Sequence, residues 1–242
     1  QPASRPAGKA SKKIKLPGIE INVPKRYVDI ESLVCLDHGS LELIACTKGS
    51  KEHESIIAIQ AKPAHIHAAL LLLGANPGNP AMQKPVNKEM TRWMHLPPSG
   101  EPVDVSLVFK NKKGKLIDRP ISDFVEPAGN DFDDIDGVEE DPNPVRAKFP
   151  NTFLFAGSLL RRNGSGPMTY MSGVSGNVIS ISTFGDELLC LPGVHAKGNQ
   201  ALMWQVNATD LPKVGTKIIL RLRPQAKPAA KPRPNSKAHT KK

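Results

Sequence analysis

The sequence predicts an α+β fold: a strand-rich single domain with one buried central helix, about 64–74, and a disordered basic tail at each end. Three observations predict it. Short alternations of apolar and polar residues recur along the chain, punctuated by Gly and Pro. One segment, Ala64 to Gly74, has the length and apolar content of a buried helix. Residues 1–16 and 224–242 are rich in Pro, Ala, Ser and Lys and have no apolar period. The 242 residues suit one domain with a real core, taken here as 17–223.

In order, Tyr27 to Leu33 and Leu41 to Cys46 alternate as strands, with a turn at His38-Gly39-Ser40 between them. Ser55 to Ala61 is a further strand. Lys62-Pro63 stops it and opens the helix, since proline is tolerated in a first turn. Gly74 caps that helix, and Asn76 to Pro80 is a loop. Val103 to Lys110 is a clean alternating strand, Asn111 to Gly114 a turn, and Leu116-Ile117 the start of the return. Residues 123–141 hold nine acids and no base, which reads as an exposed acidic insertion. Phe153–Ala156, Met168–Ser172, Val178–Ser182, Leu202–Asn207 and Lys217–Leu222 are short strands. Strands around one helix make the α+β class.

The formal charge of +10 is uneven. The N-terminal tail carries Lys9, Lys12, Lys13 and Lys15 besides Arg5; the C-terminal tail carries Lys227, Lys231, Arg233, Lys237, Lys241 and Lys242. Neither has an acid. These eleven leave 22 of the 33 basic residues against all 23 acids, so no basic face is inferred for the core. Attraction to an anionic surface is assigned to the tails. No apolar run approaches the length of a membrane-spanning helix.

The densest cluster of reactive side chains is His53, Glu54, His65 and His67. If strand and helix pack together, three imidazoles and a carboxylate suit a divalent transition metal. The pattern is not HExxH, and His65 and His67 sit two apart on a helix, facing different ways. The alternative is local packing and hydrogen bonding. Asp131, Asp133, Asp134 and Asp136 precede Gly137 as in a calcium loop, but Phe132 and Asn143 break the EF-hand template. Loose calcium binding and a solvated loop both stay open. Ser55 lies in no G-x-S-x-G elbow, and phosphate-loop and dinucleotide motifs are absent. Cys35 and Cys46 fall on neighbouring strands in this reading and can pair as a disulfide; three buried thiols are the alternative.

Leu41-Glu42, Cys46, His53-Glu54-Ser55, the Pro63-to-His67 helix start and the run ending in Gly74-x-x-Pro77-Gly78 resemble the YdjY-domain family. So do Phe155–Ser158, Gly176–Pro192 and Pro212–Leu222, giving a resemblance over roughly residues 25–223. The resemblance implies an exported bacterial protein, of a kind frequent in planctomycetes, with no established activity. A signal peptide already removed, and hence a periplasmic or secreted location, is the expectation. The function expected is a non-enzymatic extracytoplasmic binding or assembly module, its tails engaging a protein partner or an acidic envelope polymer. Two alternatives stand: a metal-binding protein or metal-dependent enzyme using the histidine cluster, and non-specific binding of nucleic acid through the tails.

Overall fold

The computed structural model describes residues 13–87, 89, 91–128, 148–162, 164–195 and 204–225. Its centre is a closed barrel rather than a sheet layered on a helix. β1 (Lys13–Leu16) and β2 (Ile19–Asn22) form a hairpin turned at Pro17-Gly18, and β2 pairs with β3 (Tyr27–Val34). β4 (Leu43–Thr47) and β5 (Ser55–Ile59) run parallel, joined by a loop with a 3-10 turn at Glu52–Glu54. α1 (Pro63–Leu72) follows. A long excursion then holds β6 (Pro77–Asn79), β7 (Met82–Pro85), β8 (Trp93–Leu96) and β9 (Ser99–Gly100), with β6 on β9 and β7 on β8. β10 (Pro102–Lys110) and β11 (Leu116–Pro120) form a hairpin; a 3-10 turn, Ile121–Phe124, leads to β12 (Val125–Pro127) and then β13 (Thr152–Leu154). β14 (Leu160–Arg162) and β15 (Met168–Tyr170) make another hairpin, followed by the single turn α2 (Ser172–Ser175). β16 (Asn177–Ser180), β17 (Leu189–Cys190), β18 (Trp204–Val206, paired with β12) and β19 (Lys217–Pro224) complete the chain.

Eight strands close on themselves in the order β3-β19-β10-β13-β17-β16-β4-β5, with β5 returning to β3. Closure corrects the α+β expectation. A closed barrel satisfies its strand edges internally, so no helical layer is needed to cover them. The helix forms where expected but lies against the barrel and is not its centre. Pro63, Ile66, Ala69 and Leu70 are buried, whereas Leu71 and Leu72 are 47% and 57% exposed. An apolar run covering most of the helix axis had suggested burial all round.

The barrel interior follows the period of two. Val28, Ile30 and Val34 of β3, Val103, Val105 and Leu107 of β10, and Ile218, Leu220 and Leu222 of β19 are buried. Asp29, Glu31, Arg221 and Arg223 alternate with them and point outward. β4 and β5 are buried on both faces, as a parallel pair should be. Lys13–Leu16, placed in the tail by the sequence reading, pair with β2, and Lys13 reaches Glu20 at 2.6 Å. Asp123 to Pro127, the start of the acidic insertion, form the 3-10 turn and β12. Asp131, Asp133, Asp134 and Asp136 lie outside the described residues. So do Lys9, Lys12, Lys227, Lys231, Arg233, Lys237, Lys241 and Lys242.

Candidate functional site

The proposed metal ligands do not converge. His53 and Glu54 belong to the 3-10 turn before β5, not to the strand, so His53 shares no strand face with Ser55. His53 is 78% exposed and meets only Glu54, at 3.9 Å; Glu54 also pairs with Lys51 at 3.4 Å. His65 sits in the first turn of α1 with Nδ1 buried and unpartnered. His67 points elsewhere. Among the described residues no group of three or more His, Cys, Asp or Glu can hold a metal ion. Ser55 is fully buried, its hydroxyl without a partner, and is not presented to any substrate.

Cys35 and Cys46 come together as unbonded thiols. All three cysteines are free thiols, and β5 lies between β3 and β4. The Cys35 and Cys46 thiols nonetheless lie within hydrogen-bonding reach of each other, which raises the pKa of the Cys35 thiol and lowers that of Cys46 to about 6. The Cys35 thiol is also 3.1 Å from the Ser55 carbonyl, to which it can donate.

His67 anchors a packed corner. Its ring stands edge-on to Phe155 and Tyr170, with centroids 4.8 and 5.7 Å away. Its Nδ1 is 2.9 Å from the Tyr170 hydroxyl, which is 2.9 Å from the Gly157 carbonyl. The hydroxyl has one proton, and a carbonyl can only accept. The proton therefore goes to Gly157, and His67 Nδ1 must carry the hydrogen it shares with Tyr170. That fixes the tautomer and leaves a lone pair on Nε2. Burial holds the imidazole below its ordinary value, favouring the neutral form, and pushes the Tyr170 hydroxyl up. Gly157 has φ 83°, and a Cβ there would come within 2.7 Å of Pro77 and 3.3 Å of the His67 ring. Beside it, Ser158 donates to the Asp186 carbonyl and accepts from the Ser172 amide. The arrangement can orient one imidazole as a hydrogen-bond acceptor.

A different chemistry occupies the other end of β10. A groove of about 770 Å³ crosses the outer face of β5, β3, β19 and β10 and takes in Leu116 of β11. Pairing sets Ala58 against Leu33, Leu33 against Lys217, and Lys110 against Leu116. The β10–β19 ladder ends with Val108 opposite Ile219, and Lys110 and Lys217 lie two residues beyond it on these neighbouring strands. The floor is apolar, from Leu33, Ala58, Val108 and Ile219, and Lys48, Lys110 and Lys217 rise around it. Glu31 is the one acid in its lining. An adjoining hollow adds Lys112, Lys113 and Lys213. Among the described residues none of these lysines has an ion-pair partner.

The YdjY domain matches this chain over residues 19–223. The chain belongs to the YdjY-domain family. No curated protein and no solved structure matches it. In this YdjY domain the strings that carry the resemblance meet at the corner: the helix start with His67, Pro77-Gly78, and Phe155 to Ser158. The Gly78 amide donates to the Phe155 carbonyl at 2.9 Å. The groove lysines were missed by sequence reasoning. The run Lys110-Asn-Lys-Lys-Gly-Lys115 was visible as a turn, but only strand pairing brings Lys217 and Lys48 to it.

Proposed function

We propose that this protein is a non-enzymatic, extracytoplasmic binding or assembly module that engages an acidic partner. One observation carries the reading: lysines with no ion-pair partner among the described residues gather at one end of the barrel, around an apolar groove. The acid-free basic stretches at both chain ends extend the same charge. Such an array raises the local concentration of an anionic partner and speeds its association. Residence outside the cytoplasm rests on the resemblance alone, and fractionation of the native cells tests it: recovery with cytosolic enzymes would remove that part.

The binding reading is tested by titrating the full chain into a labelled acidic polypeptide over a range of salt concentrations. Affinity should fall steeply as salt rises. Deleting residues 1–12 and 226–242 should weaken the interaction without abolishing it, because the groove lysines remain. Binding indifferent to salt, or absent at low salt, overturns the proposal. Tighter binding to a mixed-sequence oligonucleotide would favour nucleic acid as the partner.

A further inference from the structure

We infer that the groove on β5, β3, β19 and β10 is the docking site for an acidic peptide segment of a partner protein, with apolar side chains interspersed among its carboxylates. The inference rests on the binding-module reading and adds where the partner sits and what it is made of.

The first argument is charge left over. On this outer face the arginines are neutralised. Arg221 holds Asp29 at 2.5 Å and Asp118 at 2.9 Å, Arg223 holds Asp118 at 2.7 Å, and Arg119 holds Asp123 and Asp210. Lys48, Lys110 and Lys217 have no such partner among the described residues. Lys110 and Lys217 also line the one groove from neighbouring strands, and like charges gathered there repel each other. A carboxylate between them removes that repulsion.

The second argument is spacing. The Lys48 amide bonds to the Ile59 carbonyl at the end of β5. Lys217 lies two strands from β5 and Lys110 three. At about 4.8 Å per strand the positive charge spans roughly 14 Å. A single carboxylate or phosphate headgroup cannot meet all three; successive acidic side chains along a peptide can.

The third argument is the floor. Leu33, Ala58, Val108 and Ile219 offer apolar contact between the lysines. A nucleic-acid backbone has no side chains to place there, and the only aromatic residue in the lining, Phe109, is buried and offers no base a stacking face. Apolar anchors inside a charged rim are the usual anatomy of a protein-binding surface.

The experiment measures fluorescence anisotropy of labelled peptides with the full chain. The probes are Asp-Asp-Leu repeats, an oligo-aspartate of equal charge, Asn-Asn-Leu repeats and a single-stranded oligonucleotide. The Asp-Asp-Leu peptide should bind more tightly than the other three. Lys110→Gln combined with Lys217→Gln, both at exposed positions, should weaken it about tenfold at low salt, since rim charges act largely through association. Ile219→Asn should erase its advantage over oligo-aspartate. Three results overturn the inference: an unchanged affinity in the double lysine variant, equal binding of oligo-aspartate, or preference for the oligonucleotide. If the double variant changes nothing while removal of the chain ends weakens every anionic probe, the groove assignment falls and the binding-module reading survives.

Discussion

The two ends of β10 treat their polar groups in opposite ways. At its start, the corner around His67 is knitted together by hydrogen bonds. The Tyr170 hydroxyl both donates and accepts, Glu101 takes two hydrogen bonds from Asn76, and Ser158 bridges Asp186 and Ser172. At its end, the side chains of Lys48, Lys110 and Lys217 have no ion-pair partner among the described residues. Polar groups linked in this way fix a shape, because any displacement breaks several hydrogen bonds at once. Unpaired cations fix nothing, yet remain available to a partner. The comparison therefore separates where this YdjY domain holds its form from where we propose that it meets a partner. The resemblance sits at the first place and the inferred recognition at the second.

The corner should break first. Gly100 has φ 144°, and a Cβ on it would lie 2.1 Å from the Phe155 carbonyl oxygen. Backbone cannot yield as a flexible side chain can. Gly100→Ala should cost more than about 3 kcal/mol, enough to unfold much of a marginal domain. Gly157→Ala, where the close neighbours are side chains of Pro77 and His67, should cost less. Denaturant unfolding of the two variants checks the order; equal, small losses would mean the corner is looser than its contacts imply.

A gentler perturbation sharpens the same contrast. Burial lowers the proton affinity of His67. In the unfolded chain the ring regains the ordinary value near 6.5. As pH falls through that value, the unfolded state takes up its proton first. Stability contributed by the neutral ring is present above about pH 6.5 and is lost as pH drops toward the lowered folded value. His67→Gln cannot titrate. Between pH 7.5 and 5 the wild-type chain should lose more stability than this variant, when the difference between the two is followed by urea unfolding. Parallel curves would show that the corner does not hold the imidazole neutral.

Much of the barrel was legible because burial on one face imposes a period of two. Val103, Val105, Leu107 and Phe109 read as a strand and are one, and Ser55 to Ala61 and Ala64 to Gly74 fall within two residues of β5 and α1. Closure was not legible. It depends on β5 pairing with β3 while also lying beside β4, and no local pattern in Ser55–Ile59 records two partners. The site suffered the same blindness. His53 and His67 are close in sequence and were expected to meet, but the 3-10 turn turns one outward and the helix turns the other onto Phe155. Lys110 and Lys217 are far apart in sequence and line one groove from neighbouring strands. A neutral sum over the core concealed that arrangement, because net charge carries no information about register.

The smallest effect is the most pointed one. Lys217 is exposed and lines the same groove as Lys110 of the neighbouring strand. Lys217→Glu replaces a repulsion with an attraction at the same position. It should stabilise the chain by about 0.5 kcal/mol at low salt, the usual scale for an exposed ion pair, and the gain should vanish in high salt. The same substitution should weaken binding of the Asp-Asp-Leu peptide. Gain in stability together with loss of binding is the signature of a residue kept for recognition at the expense of the fold. A variant that loses stability at low salt would mean that Lys217 supports the barrel, and the division between the two ends of β10 would then fail at its sharpest point.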